Sequence, residues 1–136
     1  MVNNSNTYHV ATQLVRQVHR TIKKHDAADV ARDETACRIL AGRVNTLADE
    51  ASWHAAGSPE AALLFASVLA GDLEGMGEGE HADDARLERM HRMAIALVHY
   101  VERTSGIGRD EFRLDWFAPQ HFDASPFGET AKAYAA

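Results

Sequence analysis

The chain has 136 residues, 46% hydrophobic and 25% charged, enough for one domain with its own core. A formal charge of −6 argues against the phosphate-neutralising surface of a general nucleic-acid binder. One cysteine, Cys37, excludes an internal disulfide framework, and no apolar run approaches the roughly 20 residues of a membrane-spanning helix.

The charge is unevenly placed. Residues 1–25 hold Arg16, Arg20, Lys23 and Lys24 without an acid, +4 in all, leaving −10 for the rest. Residues 72–88 carry seven acids against Arg86 alone. The expected arrangement sets the basic first helix against this acidic segment of its own chain, and an acidic partner for that helix is the alternative. The N-terminus shows no charged segment followed by an apolar run, so a cytoplasmic protein is expected.

The first element is an amphipathic helix from about Tyr8. Tyr8, Ala11, Val15, Val18 and Ile22 recur at spacings of three and four, with Leu14 beside them. Ser5, Asn6 or Thr7 is placed to cap it, and Lys23, Lys24 and His25 suit its C-terminus. A second helix is expected over 27–56, started by Asp26 or Asp29, with Val30, Cys37, Leu40, Val44, Leu47 and Ala51 as its stripe. No Gly or Pro enforces the break. One continuous rod of about 70 Å is the alternative. Asp33 and Glu34 approach the stripe where the end of a bundle would let them reach water. Cys37 reads as a small core residue.

The third helix, 59–74, organises the rest. Nine of the ten residues from Ala61 to Ala70 are apolar. Ser58 is a cap and Pro59 suits the first helical position. Apolar residues spread around most of its circumference, so it is expected at the centre, covered by its neighbours. GMGEGEH then reads as a connector; without a following Lys or a preceding strand, its glycines do not make a phosphate loop. A fourth helix is expected over 82–104, ending at Ser105-Gly106. Its stripe is Leu87, Met90, Ala94, Leu97 and Val101. Arg89, Arg92, His99 and Arg103 are expected in solvent, and its second half is expected to be the more buried.

Residues 109–136 form a tail that holds six of the ten aromatics, with Pro119 and Pro126 excluding a long helix. Aromatics of this density suit docking on the 1–108 bundle or on a second subunit. Phe112, Trp116, Phe117, Phe122 and Phe127 are the interface candidates.

The candidate chemistry is a metal site. Glu88-x-x-His91 puts a carboxylate and an imidazole on one helix face, as four-helix di-iron and di-manganese bundles do. Glu50 and His54, at i,i+4 on the second helix, would complete a mixed nitrogen and oxygen set for Mn, Fe or Zn. Glu88-x-x-His91 is the only such pair within an expected helix, so a surface pair without a cofactor is the leading reading. The sequence therefore predicts an all-α, up-down four-helix bundle around 59–74 with an irregular aromatic-rich tail. It points first to a homo-oligomer, a homodimer or higher, acting as a protein-interaction or binding module. A metal-dependent bundle enzyme is the alternative. A small-ligand bundle lined by Phe65, Trp53, Met90 and Met93 is a further one, and neither nucleic acid nor membrane is an expected partner.

Overall fold

A computed structural model describes residues 4–81 and 83–123, with side chains from residue 9 onward. The Tyr8 side chain and Phe127 therefore lie outside the described parts. The described residues form four helices: α1 (Asn4–Val30), α2 (Glu34–Ala51), α3 (Pro59–Gly77) and α4 (Asp84–Ser105). Three short 3-10 turns follow, Arg109–Phe112, Leu114–Trp116 and Gln120–Asp123, and no strand occurs among the described residues. The helices pack as an up-down bundle.

α1 and α2 are separate helices, and the break falls later than the sequence suggests. α1 runs through Lys23, Lys24 and His25 to Val30, because none of them breaks a helix. It ends when the Asp33 N–H returns to the Ala28 carbonyl (2.9 Å) and the Arg32 N–H to that of Asp29 (3.0 Å), with Arg32 left-handed at φ 57°. These paired bonds close off the terminal carbonyls. Asp33 then starts α2, its Oδ1 accepting from the Ala36 N–H at 3.1 Å. Asp33 and Glu34 both reach water. α1 is already helical at Asn4, so Ser5, Asn6 and Thr7 lie inside it. α2 stops at Ala51, five residues short of expectation.

α3 begins as expected. Ser58 Oγ accepts from the Ala61 N–H at 3.2 Å with Pro59 in the first turn, and Ser58 also meets the Thr12 hydroxyl of α1. The helix runs on to Gly77, since Gly75 and Gly77 weaken a helix without ending it. α4 is capped by Asp83, whose Oδ1 accepts from the Arg86 N–H at 2.8 Å, and ends at Gly106 in the left-handed region, φ 72°.

One core joins all four helices: Ala11, Leu14 and Val18; Leu47, Ala48 and Ala51; Ala61 and Phe65; Met93, Ile95 and Ala96. It occupies one end of the α1–α2 hairpin. No residue between 22 and 46 is fully buried, so the other end is a bare two-helix arm.

α3 is not wrapped on most of its circumference. Ala61, Phe65 and Asp72 face inward and are its only buried residues, with Val68 half-buried on the same line. The opposite face, Leu63, Ala66, Ala70 and Leu73, is exposed. α1 and α2 pack chiefly on each other, which leaves α3 one long partner, α4.

α4 is turned relative to its expected stripe. Its buried residues are Arg89, Arg92, Met93, Ile95 and Ala96, at its middle. Leu87 and Val101, the ends of the expected stripe, are exposed. The second half is thus less buried than the middle. Two arginines face inward because carboxylates and a hydroxyl wait there.

Candidate functional site

The inward arginines form a charged cluster where α2, α3 and α4 meet. Asp72 is the last residue on the inner line of α3, where a buried carboxylate needs a partner. Arg89 supplies it: Nη2 donates to both Asp72 oxygens at 3.1 Å, and Nη1 donates to Asp49 of α2 at 2.9 Å. Arg89 is 6% exposed, and its Nε is buried without a hydrogen-bond partner. Burial pulls the Arg89 pKa down, but the two aspartates outweigh it and leave the guanidinium above its ordinary value. Arg86 lies at the edge, 3.8 Å from Asp72 and 3.2 Å from Glu80. The paired acids of 72–88 thus meet Arg86 and Arg89, which stand closer than the cations of α1.

Arg92, 8% exposed, lies one turn further along. Its Nε donates to the buried Ser52 hydroxyl at 3.1 Å, and its guanidinium stacks 3.8 Å from the Trp53 ring centroid. Burial lowers its pKa, against the opposing pull of Asp49 and Glu88. Arg103 closes the row by donating to the Ala56 carbonyl just before α3. This face ties α4 to the end of α2 and the α2–α3 loop by charge and hydrogen bonds rather than by apolar contact.

The tail, as far as Asp123, docks on its own bundle. Arg109 is its anchor. Nε and the backbone N–H bind Glu102 of α4, Nη1 binds the Ala118 carbonyl, and Nη2 holds both Asp123 oxygens at 2.8 and 2.7 Å. His99 Nε2 meets Asp123 Oδ1 at 2.9 Å, so His99 is half-buried and paired rather than free in solvent. Burial would raise the Asp123 pKa, but hydrogen bonds and charge from His99 and Arg109 outweigh it and hold it below the ordinary 3.8. Phe122 is half-buried against the core, with its ring edge-on to His91 at 4.9 Å. Phe112, Trp116 and Phe117 point outward, Trp116 at 80% exposure.

His91 is taken up by Phe122, Glu50 and Glu88 are exposed, and His54 is half-buried. Burial lowers the His54 pKa, with Glu50 opposing. Among the described residues no group of three or more His, Cys, Asp or Glu side chains is placed to hold a metal ion. Cys37 is half-buried, and burial with Asp29, Asp33 and Glu34 raises its thiol pKa, the opposite of a reactive thiolate. Phe65 and Met93 are fully buried core, and Trp53 lies under Arg92. A groove of about 540 Å³ opens elsewhere, between the second half of α4 and the tail.

Arg89 and Arg92 are the residues that sequence reasoning missed. The available signal was Asp72, the one charged residue between Ala61 and Leu73. A carboxylate on an apolar helix implies a buried cation, and Arg89 is in reach on the next helix. No family profile, no curated protein and no solved structure matches this chain. Among the described residues no helix is long and apolar enough to cross a membrane.

Proposed function

We propose that the chain is a homo-oligomeric protein-interaction module that pairs with a second copy of itself through the outer face of α3. The observation that carries this reading is the exposed line Leu63, Ala66, Ala70 and Leu73, with the leucines 68% and 58% exposed. Its spacing of three, four and three residues is the seam of packed helices. The pattern reads the same in both directions about position 68. A two-fold axis there sets Leu63 against the partner's Leu73 and Ala66 against the partner's Ala70, the self-complementarity that a symmetric dimer needs. The alanines let the two helices approach closely at the axis, and Glu60 and the partner's Glu74 flank the ends of the seam at exposed positions, where water and salt screen them. Phe112 and Trp116 add apolar surface for a partner elsewhere on the molecule.

Sedimentation velocity on the untagged protein at micromolar concentration tests this. A dimer is expected for the wild type and a monomer for Leu63→Glu/Leu73→Glu, with unchanged helical circular dichroism because both side chains already point outward. A monomeric wild type sinks the reading. Orientation is read by disulfide trapping in a Cys37→Ser background. Ala66→Cys should cross-link with Ala70→Cys in a mixture more readily than with itself; preferential self-linking would mean a parallel seam.

A further inference from the structure

The groove between α4 and the tail has a composition unlike the rest of the surface. Leu97, Val98 and Val101 of α4 form one wall, and Ile107, Leu114 and Phe117 the other. Glu102 and Arg109 also border it, but they are spent on each other. Arg109 is further committed to the Ala118 carbonyl, Gln120 and Asp123. The groove therefore offers methyl groups and a ring, with its bordering charges already engaged. Water inside it finds few partners and is readily displaced. The volume of about 540 Å³ falls within the range of roughly 300–1,000 Å³ typical of small-molecule sites.

The surrounding charge narrows the occupant. Residues 102–123 carry five acids (Glu102, Asp110, Glu111, Asp115 and Asp123) against three arginines. An anionic amphiphile such as a fatty acid meets a net negative collar, and among the described residues the one cation lining the groove, Arg109, is already engaged. A neutral apolar molecule meets neither penalty. We propose that this groove binds a small uncharged apolar molecule, held between α4 and a tail that Arg109 and Asp123 pin in place. The site is separate from the outer face of α3, so the two readings stand or fall independently.

The test is a fluorescence titration of the full chain with the uncharged probe N-phenyl-1-naphthylamine, beside the anionic 1-anilinonaphthalene-8-sulfonate. The uncharged probe should saturate at one site per chain and bind more tightly than the anionic one. Val101→Arg and Leu114→Arg put a charge into opposite walls at positions that are partly exposed, so folding should survive. Each should weaken the uncharged probe at least about tenfold, with circular dichroism unchanged. Leu63→Glu/Leu73→Glu should bind the probe as the wild type does. Absence of saturable binding overturns the proposal, as does binding that both arginine variants retain. Probe binding that appears only when an oligomer is diluted apart also overturns it, since the groove would then belong to a second copy.

Discussion

The α1–α2 hairpin is packed at one end and bare at the other, although its two helices have the same character throughout. In the body, Ala11, Leu14 and Val18 of α1 and Leu47, Ala48 and Ala51 of α2 are buried against α3 and α4. In the arm, Ile22, Val30 and Ile39 are exposed, Val30 at 86%. Among the described residues the arm rests chiefly on the contact between its own two helices. Two helices can hide one stripe each, and any apolar residue off that stripe stays in water. The body has a further layer, so it can bury even arginine, provided aspartate comes with it. Helical periodicity alone thus says little about burial; the number of neighbours decides it.

Stability should follow this division. Phe65→Ala empties a fully buried site in the body and should cost about 4 kcal/mol, read by urea denaturation. A loss below about 1 kcal/mol would mean that the core is loosely packed. Arg89→Met should cost about 3 kcal/mol by leaving the buried Asp72 carboxylate with only the longer contact to Arg86 at the edge, and Arg89→Met/Asp72→Asn should recover part of it. Equal stability of the single and double variants would show that the pair is not what holds α3 to α4.

The tail offers a test by pH. The folded pKa of Asp123 lies below its ordinary 3.8. Its docking stability is therefore complete above that value and is lost as pH falls below it. Protection of the 109–123 amides relative to their intrinsic exchange rates should fall below about pH 3.8 before that of the body helices does, and Asp123→Asn should show the reduced protection at neutral pH. Exchange in Asp123→Asn that matches the wild type would mean that apolar contacts dock the tail.

The smallest effects belong to the arm. Arg32→Gly relieves a left-handed arginine at the end of α1 and should stabilise by up to about 1 kcal/mol. Ile39→Ser should change stability by less than about 0.5 kcal/mol, since the residue is already 63% exposed. A large loss at Ile39 would place it under cover in solution and identify the arm as a second contact surface between copies.

Several features were legible in the sequence because they rest on neighbours along the chain. Four helices follow from apolar recurrence at three and four residues. Ser58-Pro59 marks the start of α3 and Gly106 the end of α4, each through its own backbone geometry. The break between α1 and α2 was partly hidden, because Arg32 adopts the left-handed conformation usually given to glycine. Of the metal candidates, the helical spacing of Glu88 and His91 was readable, but the Phe122 ring that occupies His91 comes from 31 residues away.

The amino-acid order by itself determined the class of fold, the start of α3 and the end of α4. Only the tertiary structure decided which way each helix turns. An apolar stripe predicts an inward face when burial is the only force acting, and α4 breaks that rule. Asp72 and Asp49 draw Arg89 inward, Ser52 and Trp53 hold Arg92, and the stripe of Leu97 and Val101 is left to form a groove with the tail. The outer face of α3 is exposed for a related reason: its apolarity is written in the chain, but the described helices leave it uncovered because α1 and α2 spend their length on each other.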